Sequence, residues 1–353
     1  MLPYLVLLIL ITVATLFDGK KIGSVLFFSL AIWMLVFSAF RVGGVGPGDY
    51  DTYLHLYSLT DTFEKVINPE IHAEIGFRAL SLLGNYWGLS GQFIIIMMAV
   101  LAFVPVTCII YKYSPYKILS LLVWMPYFLT MNMHSSRISV AAAFGLLFIF
   151  FYYNNRIFYG LLCLALAISF HSSALILIFV FLAKISLKKL LYILTPCLAI
   201  FVFISPFELM IKIFDNVGLS RLSTFVRIYI SSEEYGYPMV IYDPRILLGM
   251  GVVFLIFKFQ KKIITYFDIY FFKIYIIGVL FMILFSSVVI MAWRLSYFFL
   301  LIGVIVVPWL AKICNDMIQK RSGSKRVMSF VFTILYFLYT IPIILNAEPY
   351  EFF

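Results

Sequence analysis

Apolar runs of helical length recur along the whole chain, and that repetition rules out most folds before any single residue is weighed. A transmembrane barrel would alternate polar and apolar residues in segments of roughly ten, whereas these runs are continuously apolar. A soluble domain is usually about half apolar. Here 64% of 353 residues are hydrophobic, 12% are charged, and the mean hydropathy is +1.07. The composition reads as an all-α, polytopic integral membrane protein, a single membrane domain over residues 1–353 with no soluble appendage.

About twelve spans are expected: Leu2 to Phe17, Ile22 to Phe40, Phe93 to Tyr111, Ile118 to Met133, Ile138 to Tyr153, Ile157 to Phe170, Ser172 to Ala183, Leu190 to Ile204, Ile246 to Phe257, Ile269 to Ile290, Leu295 to Leu310 and Val327 to Leu345. Several fall short of the roughly 20 residues that a perpendicular helix needs, so some must be tilted, lengthened by flanking residues or broken. The first span lacks a basic leader and a small-residue cleavage site, and is expected to stay in place. Cys108, Cys163, Cys197 and Cys314 show neither CxxC nor Cys/His spacing. No disulfide framework, zinc site or other metal is therefore expected.

A net charge of +10 would raise nucleic acid as a partner for a soluble protein; in a membrane protein it is read through topology, and no nucleic-acid partner is expected. Basic residues fall in alternate loops: Lys20 and Lys21; Lys112 and Lys117; Arg156; Lys184, Lys188 and Lys189; Lys258, Lys261, Lys262 and Lys273; and Lys312 through Arg326. By the positive-inside rule those loops are cytoplasmic, which puts both termini outside. Most inner basic residues are lysine, whereas the outer ones are mostly arginine: Arg41, Arg78, Arg137, Arg221, Arg227, Arg245 and Arg294. Lysine suffices to fix topology, but the planar guanidinium fork suits phosphate or carboxylate. The outer face therefore reads as an anion-binding surface.

Two outer loops are long enough to carry function. Residues 41–92 hold a short helix over Asp49 to Leu59, a capping-box pattern at Asp61-Thr62-Phe63-Glu64, an Asn68-Pro69 turn and an amphipathic helix from Glu74 to Trp87. A membrane crossing by that last helix would invert the charge alternation downstream, so it is laid along the interface. Residues 205–243 carry Glu208, Arg221, Arg227, Glu233, Glu234 and Tyr237-Pro238.

Each candidate residue has a plain reading beside the functional one. The Gly43-Gly44-Val45-Gly46-Pro47-Gly48 run resembles a phosphate loop but lacks Gly-Lys-Ser/Thr and a preceding strand; a bend using positive φ explains it, with an anion nest as the alternative. Asp49-Tyr50-Asp51 matches DxD, yet Asp49 can simply cap a helix. Asp49, Tyr53 and Tyr57, at i, i+4 and i+8, make a stripe suited to a sugar face. Glu74 and Arg78 have the spacing of an ordinary helical ion pair, or can face the outer cavity. Arg137 heads a span whose first turns are small residues, and an arginine at that depth is costly unless paired or facing a polar cavity. Arg294, in Ala292-Trp293-Arg294-Leu295-Ser296-Tyr297, is placed similarly, while Arg245 either joins it or pairs with Asp243. His171, between two short spans, is a core residue or a general base.

Phe40-Arg41 with Gly48-Asp49 and Tyr53, then Glu74-Ile75-Gly76-Phe77, Arg137 before a small-residue span, His171-Ser172-Ser173-Ala174, and Arg294 with Tyr297-Phe298 together resemble the EpsG-like family of bacterial O-antigen and capsule polymerases, the Wzy group. The glycine-rich bend is longer than that family's Arg-x-Gly-x-Asp spacing, and Arg245 aligns only by position. The resemblance implies a GT-C-like helical fold with outer interfacial helices, in the bacterial inner membrane. It also implies polymerisation of undecaprenyl-diphosphate-linked oligosaccharide repeats on the outer face, without a cofactor, and a chain-length regulator protein as a partner.

On this reading Arg137 and Arg294, with Arg41 or Arg245, hold the diphosphate as the glycosidic bond breaks, since preorganised positive charge is usually the largest catalytic effect. His171, or failing that Asp49 or Glu74, takes the acceptor's proton, and Tyr53 and Tyr57 pack on sugar rings. A flippase for lipid-linked saccharides and a ligase moving the finished glycan to another acceptor are the alternatives. A transporter would show inverted repeats and polar residues at mid-membrane, and neither is evident.

Overall fold

A computed structural model describes residues 1–44, 49–203, 205–233, 236–322 and 326–353. Helices make up 79% of the chain, with almost no strand. Two compact units are distinguished, one of residues 1–175 and 303–353 and the other of residues 176–302.

The first unit opens with α1 (Leu2–Ala14), α2 (Lys21–Ala39), α3 (Tyr50–Leu59), α4 (Phe63–Ile67), α5 (Ile75–Tyr86), α6 (Gln92–Tyr113), α7 (Lys117–Tyr127), α8 (Ser136–Tyr153) and α9 (Ile157–Phe170). A 3-10 helix, Ser172–Lys184, leads into the second unit, which holds α10 (Leu187–Phe203), α11 (Pro206–Asn216), α12 (Ser220–Ser231), α13 (Pro244–Tyr266), α14 (Ile269–Leu284) and α15 (Val289–Leu300). The chain then returns to the first unit as α16 (Gly303–Ser322) and α17 (Val327–Leu345).

Four of the described helices are long and apolar enough to cross a membrane, namely α2, α6, α8 and α17, or five if α15 and the following Gly303–Gln319 count as one broken span. Leu2–Phe17, α9, the 3-10 helix and α14 are apolar but shorter. Helix type lengthens one of the short apolar segments expected as spans. Thirteen residues in 3-10 geometry extend about 26 Å at roughly 2.0 Å per residue, against about 20 Å as an α-helix. Two expected span boundaries are corrected. Ile269 to Ile290 ends as a helix at Leu284, and Leu295 to Leu310 is interrupted between Leu300 and Gly303. The first break has a visible cause: Ser286 accepts from the Met239 N–H and Val289 donates to Tyr237, so the loop is hydrogen-bonded to a neighbouring segment instead of continuing the helix.

Within the first unit, hydrogen bonds sort the helix ends into two groups. At one end Gln92, the first residue of α6, donates to the carbonyls of Ala39 and Arg41 and accepts from Tyr50. The last residues of the chain return to this end. β1 (Arg41–Val42) pairs antiparallel with β2 (Glu351–Phe352), and Tyr350 stacks on Phe37 at 3.9 Å while donating to its carbonyl. At the other end the Asp18 carboxylate accepts the N–H groups of Ile118 and Leu119 at the start of α7. The nineteen residues of α2 separate the two ends by about 28 Å at 1.5 Å per residue.

Within residues 41–92 the expected helices form as α3 and α5. The Asn68 turn is present, its Oδ1 accepting from Glu70 N–H. The capping box is not: Thr62 makes no side-chain cap bond, and Asp61 pairs with Lys65 instead. Gly43 takes φ +74°, as a bend requires, and residues 45–48 of the glycine run lie outside the described residues. So does Glu234, together with the side chains of Arg221 and Cys197.

Candidate functional site

Four separate stretches of the first unit meet around Arg137, at the N-terminus of α8. Asp49 occupies the N-cap position of α3 but makes no capping bond; its Oδ2 accepts from the Tyr53 hydroxyl at 2.9 Å. Tyr53, one turn later and fully buried, accepts in turn from the Arg137 backbone N–H at 3.4 Å. Burial, with the neighbouring Asp49 charge, pushes the Tyr53 phenol well above its ordinary pKa. It therefore stays protonated and donates to Asp49.

Glu74 is the N-cap residue of α5, and it too makes no capping bond. Its Oε2 accepts from Arg137 at 2.7 Å, and its Oε1 accepts from the Ser172 N–H at 3.3 Å. One carboxylate thus ties α5, α8 and the start of the 3-10 helix. The expected Glu74–Arg78 pair is corrected accordingly: Arg78 donates to the Asn68 carbonyl. The packing beneath depends on Gly76, where a Cβ would meet the Ser169 carbonyl oxygen of α9 at 2.7 Å. Only a glycine lets α5 approach α9 this closely.

The Arg137 guanidinium lies over the rings of Tyr53 and Phe77, 5.6 and 5.9 Å from their centroids. One terminal nitrogen serves Glu74 and, at 3.5 Å, the His72 carbonyl. Nε is buried with no hydrogen-bond partner among the described residues. With its side chain 19% exposed, this arginine is held firmly while keeping donors in hand.

Arg41 reaches the residue before Arg137, Ser136. Only 1% exposed, it donates to the Gly43 and Ser38 carbonyls and to Ser136 Oγ at 3.0 Å, and Ser136 passes the bond to the Asn132 carbonyl. Asn132 ends a π-turn, Phe128–Asn132, which follows Pro126, a residue that cannot donate to the helical ladder. No carboxylate lies within 4.0 Å of Arg41 among the described residues, and burial lowers its pKa.

His171 caps α9, and its Nδ1 lies 2.6 Å from Ser173 Oγ and accepts from the Ser173 N–H. With Nδ1 accepting, the neutral ring carries its proton on Nε2. Tyr57 is buried, its hydroxyl donating to the Leu89 carbonyl, so Tyr53 and Tyr57 pack inside the wall formed by α3 and do not offer open ring faces.

The other two candidates belong to the second unit and form a cluster of their own. Arg245 meets Asp243 twice, Nε to Oδ1 at 2.8 Å and a terminal nitrogen to Oδ2 at 2.7 Å, and its guanidinium lies 5.3 Å from the Trp293 ring centroid. Asp243 also caps α13. Burial opposes ionisation of that carboxyl, but the bonds from Arg245 outweigh it and lower the pKa. The next residue after Trp293, Arg294, donates to the Tyr229 hydroxyl at 2.7 Å and lies over that ring.

Sequence reasoning missed three supports: Gln92, which fixes the backbone of Arg41; Ser136, which takes its guanidinium; and Tyr350, which straps the chain before it. A polar residue opening an apolar span was the available signal for Gln92. Tyr350 offered none, because its role arises from a pairing 313 residues apart.

No curated protein and no solved structure matches the chain. A model of the EpsG family matches residues 24–352, nearly its whole length. Every residue of both arginine clusters falls inside that match, and the chain belongs to the EpsG family.

Proposed function

We propose that the protein polymerises polyprenyl-diphosphate-linked oligosaccharide repeats on the outer face of a bacterial inner membrane. Family membership supports a polysaccharide-polymerase type of glycosyltransferase, and the apolar helices support a membrane protein. The lipid diphosphate, the outward side and a GT-C-like scaffold are our reading. One observation carries it: Arg137 is anchored through one nitrogen while its Nε has no partner among the described residues. A buried donor without an acceptor is costly, and an incoming anion relieves that cost.

In this mechanism the Arg137 guanidinium donates to diphosphate oxygens, and Arg294, held by Tyr229 in the second unit, is a separate candidate donor. As the bond from the anomeric carbon to phosphate oxygen breaks, the lipid diphosphate leaves with the bonding pair, and the Arg137 donors stabilise its charge. The acceptor hydroxyl oxygen attacks the same carbon and gives its proton to a carboxylate. Asp49 takes that role in preference to His171, whose Nδ1 is already accepting, and to Glu74, which is committed to Arg137 and Ser172. Tyr53 orients Asp49. Arg41, buried and bonded to Ser136, positions the start of α8, and Arg245 supports Trp293 beside Arg294. The donor and acceptor are the same class of lipid-linked repeat.

The test is incubation of the purified chain with one lipid-linked repeat as sole substrate. A ladder of products supports polymerisation. Transbilayer movement without growth replaces it with a flippase, and inertness until a second acceptor is added replaces it with a ligase.

A further inference from the structure

About one helix length from Arg137, at the opposite end of the first unit, a cavity of about 260 Å³ opens beside Arg326. Its polar lining includes Asp18, Tyr116, Ser329, Thr15 and Thr333. A second cavity of about 230 Å³ shares Thr15, Leu16, Phe330 and Thr333 with the first and continues along α1 and α17 past Val13, Ile334 and Phe337. One is polar-walled at its arginine and the other almost wholly apolar, so together they make a head-and-tail groove.

The hydrogen bonds decide which sign of charge the head would accept. Asn315 Oδ1 accepts from the Met328 N–H, which turns its amide nitrogen to donate to both Ser329 Oγ and Tyr116 Oη. Each hydroxyl is thereby an acceptor toward Asn315 and keeps its own proton to give elsewhere. Arg326 spends one N–H on the Leu16 carbonyl and another on the Asp18 carbonyl, out of five. The Asp18 carboxylate, the acidic group in the lining, has both oxygens turned to the N–H groups opening α7. Donors therefore predominate, and they suit phosphate oxygens. Arg326 holds φ +70°, a left-handed conformation that a non-glycine residue adopts only where surrounding structure enforces it.

The tail half selects a lipid over a free ion. Phe330 and Ile334 are 56% and 40% exposed, and α17 is mostly unburied along its apolar length, as for a helix bordering acyl chains. Lys20, Lys21 and Lys117 belong to the same end, where anionic headgroups collect.

We propose that this groove binds one anionic glycerophospholipid, with its phosphate on Arg326, Tyr116 and Ser329 and an acyl chain between α1 and α17. The site is separate from the arginine cluster at the other end and independent of the polymerase reading.

The test is native mass spectrometry of the full chain, delipidated in detergent and titrated with dioleoyl phosphatidylglycerol, dioleoyl phosphatidylcholine or inorganic phosphate. Phosphatidylglycerol is expected to fill one site at least tenfold more tightly than phosphatidylcholine. Arg326→Gln should erase that preference. Because it also removes bonds to Leu16 and Asp18, Ile334→Trp serves as a second variant: it leaves Arg326 untouched, obstructs the tail, and should weaken phosphatidylglycerol tenfold. Equal binding of the two lipids to the wild type overturns the proposal, as does wild-type affinity in Ile334→Trp. Displacement of the lipid by millimolar phosphate would make this a free-anion site and overturn it too.

Discussion

Arg137 and Arg245 each hold one carboxylate at 2.7 Å, yet the two pairs are built in opposite ways. Asp243 lies two residues from Arg245, caps the same helix and grips the guanidinium with both oxygens. Glu74 comes from 63 residues before Arg137, meets one nitrogen, and gives its other oxygen to Ser172. The local pair can form as soon as the chain turns. The distant one exists only once α5, α8 and the 3-10 helix have packed together. A fork gripped twice by its neighbour is satisfied, whereas a fork gripped once has donors left for an anion.

The largest expected effect follows from that contrast. Arg137→Ala should lower polymerisation of purified lipid-linked repeats by about 10²–10³-fold, the usual scale for removing a preorganised donor. Lysine, lacking the fork, should recover little of it. Arg245→Ala should cost on the order of tenfold, acting through Trp293; a loss equal to that of Arg137→Ala would erase the distinction between the clusters.

Next in size is the coupling within each pair. A double-mutant cycle joining Glu74→Gln and Arg137→Gln, read by thermal unfolding, should give roughly 2–3 kcal/mol, at the upper end for contacting residues. In the Asp243–Arg245 cycle the cap to the Arg245 backbone N–H cancels, and the coupling left should be about 1 kcal/mol. Equal couplings would mean that sequence distance has no bearing on what these pairs hold together.

Gly76→Ala tests the packing that brings Glu74 to Arg137. Its Cβ would meet a backbone oxygen, which cannot rotate away, so a destabilisation of about 1–3 kcal/mol is expected. Polymerisation should fall with it. A variant melting like the wild type would show that α5 can move off α9 freely.

The smallest effects concern pH. Burial pushes the Asp18 carboxyl up from 3.8 to about 6, against the bonds from Ile118 and Leu119. A folded pKa above the unfolded one means that ionisation opposes folding. This contribution therefore improves as pH falls from above 6 toward 4, by on the order of 2 kcal/mol. Asp243 runs the other way: with its folded pKa depressed below 3.8, its contribution is full above that value and is lost on further acidification. Between pH 7 and 4.5 the melting difference between wild type and Asp18→Asn should shift toward the wild type, while that for Asp243→Asn stays flat. The same slope in both would contradict the assigned environments.

The same division between near and far governs what could be read before folding. The helical class, the helices α3 and α5, the bend at Gly43 and the Asp243–Arg245 pair all rest on residues a few positions apart, and each was legible. Arg137 could be singled out because an arginine opening an apolar span needs a reason. Its partner could not, since the i, i+4 rule offered Arg78 to Glu74 and only tertiary packing redirected the carboxylate. The ring stripe of Tyr53 and Tyr57 had the right period, but period does not tell whether a face looks into a cavity or into the wall. Span boundaries near Ser286 depended on bonds to the Tyr237 region, which hydropathy does not record.

The most direct test of the central claim is equilibrium binding of undecaprenyl diphosphate, the proposed leaving group, to the purified chain and its arginine variants. Arg137→Gln should bind at least about tenfold more weakly than the wild type, as for a lost charge-assisted hydrogen bond, with Arg245→Gln within about threefold of it. Wild-type affinity in Arg137→Gln, with the variant intact by thermal unfolding, would contradict the account.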